Sequence, residues 1–379
     1  MKIEQIAIQE PRTLVERAAS LAALEPDLVL VFATPEFFAA GGADYLTGIF
    51  PRSALLGCST AGEIANSGVM EHSVVVTAIR FERTRVIPAT ADLADMADSR
   101  NAGRRLAKAL AAPDLRTVLV FGQGVAINGS ALVEGMIDVL GTSVPISGGL
   151  AGDNGAFVRT FTLGSAGVSD HAIVAVGLAG ESLHAGHASF GGWEPFGPAR
   201  LVTRCDGNVL YELDGEPALE IYKRYLGEYA RDLPASGLLF PFAMMGEDLS
   251  AVGLIRTILG VDEHQGSLTL AGEIQQGGYL KLMHASTDAL VNGAEAAARA
   301  VAATAAPPRP VLAILVSCVG RKLVMGDRVD EEVEAVVDVL GNDTVRTGFY
   351  SYGEISPFTP AVSCKLHNQT MTITTLAEG

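Results

Sequence analysis

The sequence predicts a protein of the α/β and α+β classes, in which repeated αβαβ units form sheets with helical cover and an α+β segment is inserted. Three observations carry this prediction: amphipathic helices alternate with short apolar strands, a glycine-rich turn with an acid recurs after a strand of each unit, and a hairpin-rich segment interrupts the pattern. At 379 residues, the chain is long enough for two domains.

The first unit combines helical periodicity with fully apolar runs. Leu14, Ala18 and Leu21 share one helix face before the break at Pro26, and the run 28–32 is apolar without alternation, as in a strand buried on both faces. Pro51 is expected to end the next helix. The predicted elements are helix 13–24, strand 28–32, helix 36–50, strand 54–56 and strand 73–81.

The same order of elements returns twice. The second unit is predicted as helix 99–110, strand 117–121, helix 130–140, strand 144–146 and strands near 157–163 and 172–178. The third unit is predicted as helix 287–303, a break at Pro307-Pro308, strand 311–316, helix 330–340, strand 344–349 and strand 371–376. Three similar units in one chain indicate duplication.

A short turn with a glycine and an acid marks each unit. The turns are residues 57–64 (GCSTAGEI), 147–154 (SGGLAGDN) and 348–355 (GFYSYGEI). Alignment on the Gly–acid pair makes Glu63, Asp153 and Glu354 equivalent.

The segment from 200 to 287 differs in character. A hairpin is expected around Asp206-Gly207, a helix begins near Pro217, and further strands surround Ile255, Leu268 and Leu280. We therefore predict an N-terminal domain of residues 1–197 with two repeats and a C-terminal domain of residues 198–379. The latter holds the insert, 200–287, and the third repeat, 287–379.

Charge and cysteine content exclude several classes. The 27 basic and 43 acidic residues give a net charge of −16, which opposes binding to nucleic acid or anionic lipid. The apolar runs have strand length, so no membrane insertion is expected. The N-terminus lacks signal-peptide organisation, and the four cysteines lie far apart. These features favour a cytoplasmic protein with reduced thiols.

Several motifs together resemble those of the FIST sensory proteins. They are LGCSTAGEI (56–64), SGGLAGD (147–153), GNVLYELDGEPALEIY (207–222), FYSYGEI (349–355) and LHNQT (366–370). The resemblance covers nearly the whole chain, with a FIST N part followed by a FIST C part. It implies a bacterial sensory module that binds a small, amino acid-like ligand and regulates a partner such as a histidine kinase. This sequence carries no kinase or transmitter segment, so a signal would pass through another protein.

The turns are the first candidate ligand site. Backbone amides, hydroxyls and carboxylates at the end of a strand suit a small zwitterion, although the glycines could equally serve tight turns and the acids could bond nearby backbone. The candidate residues are Ser59, Thr60, Gly62, Glu63, Ser147, Asp153, Asn154, Ser351, Tyr352 and Glu354. We predict no catalytic residue and no firm metal ligand.

Haem b is a second ligand hypothesis, because one branch of the family resembles haem-dependent nitric oxide sensors. His184 and His187 lie three residues apart upstream of Trp193, and His367 lies within a family motif. Any of the three could supply an axial imidazole, or serve as an ordinary structural histidine.

Two further motifs match only in part, and the first of them keeps a serine-type hydrolase as a second alternative function. Residues 57–61 nearly match the G-x-S-x-G nucleophile elbow, which would make Ser59 a hydrolase nucleophile, but Ala61 replaces the last glycine and no helix is expected to follow. Gly122 and Gly124 precede a helix as in a dinucleotide loop, yet Ile127 occupies the position of the third glycine. Capping of that helix by Asn128 or Ser130 is the expected role of the loop.

Overall fold

The computed structural model describes residues 1–9, 13–246, 249, 251–303, 311–359 and 362–379. Within them, helices and strands form three sheets of six strands and one sheet of nine. This arrangement confirms the predicted mixed α/β class with helical cover. The predicted break at Pro307-Pro308 lies outside the described residues.

The first unit has six strands and three helices. They are β1 (Lys2–Ile8), α1 (Leu14–Ala22), β2 (Leu28–Ala33), α2 (Pro35–Ala39), α3 (Gly42–Ile49), β3 (Ala54–Ser59), β4 (Glu63–Ala65), β5 (Gly68–Met70) and β6 (Val74–Arg80). The strand predictions here are confirmed, and β1, β4 and β5 are additional. The single helix predicted over 36–50 is wrong, because Gly41 takes a left-handed φ of 76° and separates α2 from α3.

The second unit repeats this plan. Its elements are β7 (Arg85–Asp92), α4 (Ser99–Leu110), β8 (Leu115–Gly122), α5 (Gly129–Leu140), β9 (Ile146–Leu150), β10 (Thr162–Gly164), β11 (Gly167–Ser169) and β12 (Ala172–Ala179). Asn128 caps α5 by accepting the Ala131 amide, as predicted. The strand expected over 157–163 is wrong for its first five residues, because the amides of residues 157–159 donate to the Asp153 carboxylate.

The third unit is interrupted after its first strand. Its elements are β13 (Leu183–Phe190), α7 (Thr287–Ala302), β23 (Leu312–Cys318), α8 (Val319–Met325), α9 (Asp330–Leu340), β24 (Val345–Ser351), β25 (Gly353–Thr359), β26 (Val362–His367) and β27 (Met371–Glu378). β13 pairs with β27 over eight residues, so it lies in the same sheet as the C-terminal strands. The division of the chain at residue 197 stays a prediction.

The insert lies between β13 and α7. Its elements are β14 (Glu194–Pro195), β15 (Arg200–Asp206), β16 (Val209–Leu213), β17 (Glu216–Pro217), α6 (Ala218–Leu226), β18 (Phe242–Met245), β19 (Ala251–Arg256), β20 (Ile258–Asp262), β21 (Ser267–Leu270) and β22 (Tyr279–His284). The predicted hairpin is the β15–β16 pair, and α6 begins directly after Pro217. The strands form the nine-stranded antiparallel sheet.

Each unit gives a hairpin to the sheet of another unit. The three sheets have the orders β1-β6-β2-β3-β10-β11, β7-β12-β8-β9-β25-β26 and β13-β27-β23-β24-β4-β5. The last two strands of each sheet follow the glycine-rich turn of another unit. The exchange runs from the first unit to the third, from the third to the second and from the second to the first. The units therefore close into a ring with approximate threefold symmetry.

The centre of this ring is an apolar core. Phe32 and Phe349 stack with ring centroids 4.8 Å apart, and Phe121 packs at 5.4 Å from both. All three side chains are fully buried. The inward faces of the sheets thus fill the ring with side chains, and this dense packing fits the high apolar fraction of the sequence. None of the helices in the described part of the chain combines the length and apolar character that crossing a membrane requires.

Candidate functional site

The three glycine-rich turns meet on the ring axis, as a cycle of backbone hydrogen bonds shows. The amides of Ala61, Gly152 and Tyr352 donate to the carbonyls of Tyr350, Ser59 and Leu150 over 2.9, 2.9 and 3.1 Å. Each turn donates one bond of the cycle and accepts one. The turns predicted to carry the site are therefore brought together.

The cycle corrects the sequence alignment of the second turn. Gly57, Gly148 and Gly348 are equivalent, because a Cβ on each would lie within 2.1 Å of a carbonyl oxygen on the adjacent strand. Six residues further on stand Glu63, Asn154 and Glu354. Asp153 is thus one residue out of register with the two glutamates. The Gly–acid pair aligns residues by side-chain type alone. Strand register decides which residues occupy equivalent places in the three units.

Glu63 and Glu354 have the same hydrogen-bond arrangement. A hydroxyl three residues earlier donates to Oε1: Thr60 to Glu63, and Ser351 to Glu354 over 2.7 Å. The amide and hydroxyl of one later residue donate to Oε2. That residue is Ser73 for Glu63 (3.1 and 2.7 Å) and Thr370 for Glu354 (3.1 and 3.0 Å). Each glutamate thus connects its glycine-rich turn by hydrogen bonds to the segment that follows, at Ser73 or at Thr370.

These two carboxyls are inaccessible to solvent. Burial raises the pKa of Glu354 to about 7, against the hydrogen bonds from Ser351 and Thr370, which lower it. Burial also raises the pKa of Glu63. With their oxygens already accepting from protein donors, they are structural acids and do not line an open ligand cavity.

Asp153 organises a loop instead. Its carboxylate accepts from the amides of Phe157 (2.8 Å), Val158 (2.7 Å) and Arg159 (2.8 Å), and from the Tyr352 hydroxyl. The same hydroxyl oxygen accepts from the amides of Asp153 (3.1 Å) and Gly155 (3.0 Å). Burial and the bond to Asp153 raise the pKa of Tyr352, so this phenol stays protonated. The loop is closed around the tyrosine hydroxyl.

The loop holds an aromatic residue in an unusual conformation. Phe157 has a left-handed φ of 54°, and its ring stacks on Tyr352 with centroids 4.0 Å apart. Asn154 has a φ of 57° and is exposed. Such conformations persist only where the surroundings enforce them, and here the Asp153 carboxylate does so.

The remaining predicted residues are mostly packed away. Ser59 Oγ is buried and accepts the Phe161 amide at 2.8 Å, and Ser147 Oγ is buried without a hydrogen-bond partner among the described residues. Gly62 has a φ of 130°, and a Cβ there would lie 2.9 Å from Lys322 Nζ. None of these three lines a cavity among those found in the described part of the chain.

A cavity of about 300 Å³ lies where the second unit meets the insert. We call it the interface cavity. Of the ten predicted ligand residues, only Tyr352 lines it within the described structure, together with Phe157 and the loop from Gly124 to Gly129. The insert contributes Leu259 and residues 269–272. It is therefore a concave, mixed apolar and polar site between two parts of the fold, as ligand sites commonly are.

Three exposed apolar side chains line the interface cavity. Met96, Val125 and Leu259 line it and are 45%, 37% and 42% exposed. Three of the large exposed apolar side chains of the described residues therefore line one cavity, which is the pattern expected of a binding site more than of scattered surface residues.

The three candidate haem ligands do not form a haem pocket. His184 and His187 lie three residues apart on β13 and so point to opposite faces, and His184 is exposed. His187 Nδ1 lies 3.5 Å from Thr374 Oγ1, its Nε2 is buried without a partner among the described residues, and burial lowers its pKa to about 4. Trp193 donates to the Gln369 carbonyl at 2.8 Å and packs in a separate apolar cluster.

His367 is likewise structural. Its Nε2 bonds with the Ser356 carbonyl at 3.2 Å, and burial lowers its pKa to about 4. No candidate histidine lines the interface cavity in the described structure. In the part of the chain that the structure describes, none of the cavities found is lined by His184, His187 or His367, so the described residues do not fit haem.

Sequence reasoning missed the insert side of the interface cavity. Residues 269–272 carry no motif, and the sequence pattern predicts a strand at Phe157, where the structure has a loop. The sequence signal for this site is the loop Gly122-Gln-Gly124, where small residues precede a helix. Gly124 is required there because a Cβ would lie 1.9 Å from the Ala151 carbonyl oxygen.

Comparisons with known proteins agree with the motifs. The sequence profile of the FIST N domain matches residues 27–216, and that of the FIST C domain matches residues 218–357. An uncharacterised protein of Methanocaldococcus jannaschii is 37% identical over 98 residues, covering 25% of this chain and 19% of that protein. An uncharacterised protein of Mycobacterium tuberculosis is 29% identical over 198 residues, covering 50% and 51%. The chain thus matches about a fifth to a half of the length of these relatives.

A solved structure was also found. The crystal structure of a cyanuric acid hydrolase from A. caulinodans aligns with 100% of this chain and 98% of its own, at 11% identity and a TM-score of 0.39. Similarity at this level supports no statement about shared activity.

Proposed function

Because the chain belongs to the FIST family, a family associated with sensory signalling and small-ligand binding, we propose that it is a sensory protein whose ligand occupies the interface cavity. The observation that carries this proposal is the cavity itself. It is lined by the Phe157–Tyr352 stack, the loop before α5 and the 269–272 segment, and by the exposed apolar side chains of Met96, Val125 and Leu259. About 300 Å³ accommodates a molecule of amino-acid size.

The position of the cavity suits a signalling role. Its walls come from the second unit, from Tyr352 and Leu366 of the third unit and from the insert, so a ligand there changes the free energy of the contact between these parts. One bond across the contact joins Asn128 Nδ2 to Glu273 Oε1 at 3.1 Å. A ligand shifts a conformational equilibrium only when it binds two conformations with different affinities. Here the two conformations would differ in the position of the insert relative to the ring. The receiver would be a separate signalling protein such as a histidine kinase.

Ligand binding is tested by thermal unfolding against a panel of amino acids and related small acids. A ligand at 100 times its dissociation constant is expected to stabilise the protein by about 2.7 kcal/mol. Ala271→Phe places a ring in the cavity and should abolish the shift. The matched control is Ala296→Phe, at a similarly part-buried alanine on α7 outside the cavity. A panel without any stabilising ligand, or full binding by Ala271→Phe, would contradict the proposal.

Two alternatives from the sequence have weaker support. A haem-dependent nitric oxide sensor would need His184, His187 or His367 beside an open apolar pocket, and a visible spectrum of protein from haem-supplied cells decides it by a Soret band. A serine hydrolase would need an accessible Ser59, whose hydroxyl is buried and accepts an amide. Turnover of ester or amide substrates that Ser59→Ala removes would revive it.

A further inference from the structure

The ring of Phe157 borders the interface cavity as a flat surface with a fixed position. One face of the ring stacks on Tyr352, with centroids 4.0 Å apart and an angle of 14° between the ring planes. Both rings belong to the lining of the cavity. Phe157 is half-buried, so the part of its ring that Tyr352 does not cover is available to another molecule.

The backbone holds this ring in place against a conformational preference. Phe157 has a left-handed φ of 54°, which is rare for a bulky side chain and which glycine would adopt without strain. Its amide donates to Asp153 Oδ1 at 2.8 Å and to the Tyr352 hydroxyl oxygen at 3.3 Å. An enforced, strained conformation is common at ligand sites, so the position of this ring calls for a functional explanation.

The lining of the interface cavity carries no charged side chain among the described residues. Glu273 follows the lining directly in sequence, but its carboxylate is exposed and accepts from Asn128 at 3.1 Å. A charge that moves from water to a site without a counter-ion loses more hydration free energy than neutral polar groups restore. The enclosed part of a ligand is therefore expected to be uncharged. The polar side chains of the lining are all neutral: Asn128, Asn208, Thr269 and Tyr352.

Exposure differs along the lining and shows where the cavity meets solvent. Met96, Val125 and Leu259 are 37% to 45% exposed, whereas Leu270 and Tyr352 of the same lining are at most 7% exposed. A ligand can therefore keep a charged or zwitterionic end in water at the exposed side while its body enters the lined space.

We propose that the sensed molecule inserts an uncharged aromatic ring into the interface cavity, where it packs against the ring of Phe157. This inference rests on the proposed function for the location of the ligand. Aromatic rings attract each other both offset-stacked and edge-to-face, so a ligand ring is stabilised at the second face of Phe157 or at its edge. An apolar cavity of about 150 Å³ is enough for benzene. The interface cavity, at about 300 Å³, thus has room for one such ring with a short polar arm.

Calorimetry of the full chain with four related ligands tests the ring. The ligands are L-phenylalanine, 3-cyclohexyl-L-alanine, L-lysine and L-glutamate. The first two share their polar end and ring size, but only L-phenylalanine is aromatic, and it should bind more tightly by about threefold or more. L-Lysine and L-glutamate carry a charge on the body and should bind about tenfold or more weakly than L-phenylalanine.

Variants of Phe157 assign the preference to this side chain. Phe157→Leu keeps an apolar side chain but removes the ring, so the ratio of the affinities for L-phenylalanine and 3-cyclohexyl-L-alanine should fall to about one. Phe157→Tyr keeps the ring and should keep the wild-type ratio. Phe190→Leu is the matched control, because Phe190 is also partly exposed and lies outside the described lining of the cavity. A wild-type ratio in Phe157→Leu overturns the assignment.

A measurement on the wild-type protein keeps the test independent of these variants. If Phe157→Leu does not fold by circular dichroism, saturation-transfer NMR compares the ring protons and the Cα proton of bound L-phenylalanine. The ring protons should receive the stronger saturation, because the ring is enclosed while the charged end stays at the exposed side. Equal saturation of the two kinds of proton overturns the proposal.

The outcomes separate this inference from the proposed function. Equal binding of L-phenylalanine and 3-cyclohexyl-L-alanine, or equally tight binding of L-lysine or L-glutamate, overturns the aromatic assignment and leaves a ligand site in the interface cavity. Stabilisation by other members of the panel that Ala271→Phe abolishes, without binding of L-phenylalanine, has the same meaning. Absence of any ligand effect overturns both proposals.

Discussion

In the first and third turns of the ring a buried glutamate is held by hydrogen bonds, and we call these the locked turns. The second turn lacks this glutamate and is followed by a loop that lines the interface cavity. In the locked turns a buried glutamate, Glu63 or Glu354, accepts from two hydroxyls and an amide. At the equivalent place in the second turn stands Asn154, exposed and with a left-handed backbone. The neighbouring Asp153 holds the Phe157 loop instead. The comparison teaches that a repeated acid can serve stability in two units, while the second unit, which lacks that bond, contributes Phe157 to the lining of the interface cavity.

Removing the locking acids should have the largest effect. Glu354→Ala and Glu63→Ala each leave two hydroxyls and one amide buried without their acceptor, and we expect each to lower the free energy of unfolding by about 3 kcal/mol. Asn154→Gly, at the equivalent position, should change it by less than about 0.5 kcal/mol, because glycine tolerates the left-handed φ. Urea unfolding measures all three. Similar losses at the three positions would show that the turns are not different.

The pH dependence of stability should come next in size. The pKa of Glu354 is raised to about 7 in the folded protein from an ordinary 4.5, so the folded state holds this proton more tightly than the unfolded state. The contribution of Glu354 to stability should therefore fall as pH rises from about 4.5 to 7, by up to about 3 kcal/mol. His187 and His367, whose pKa values burial lowers to about 4, contribute a slope of the opposite sign between about pH 4 and 6.5. Glu354→Gln removes this contribution of Glu354, so in urea unfolding between pH 5 and 8 the stability of the variant relative to wild type should rise with pH. A variant that keeps the full wild-type slope would contradict the assignment.

The smallest expected effect is at the second turn. Asp153→Asn converts one acceptor oxygen to a donor facing backbone amides, and should cost about 1–2 kcal/mol in urea unfolding while weakening ligand binding through movement of Phe157. Asp170→Asn is the control: this aspartate pairs with Arg159 at the surface, and its loss should cost less than about 0.5 kcal/mol. An unchanged ligand affinity in Asp153→Asn would mean that the loop does not shape the cavity.

Most regular elements could be predicted because their signals are local. Helix 99–110 coincides with α4, and helix 330–340 coincides with α9, since their apolar faces repeat at helical spacing and are bounded by polar or glycine residues. The opening strands β1, β7 and β13 were missed. Each lies at the edge of a sheet and carries polar residues, such as Gln5 and His187, so the apolar pattern is weak there.

The sequence by itself determined the three units, the insert and the family, because periodicity, turn chemistry and motifs are properties of neighbouring residues. Only the tertiary structure decided which unit receives each exchanged hairpin, that Asn154 and not Asp153 matches the two glutamates, and that the cavity lies against the insert. Those features depend on strand register and on contacts between residues far apart in the chain, such as Asn128 with Glu273 and Asp153 with Tyr352. A local pattern cannot specify such pairs, since the free energy that selects them arises only when whole sheets pack.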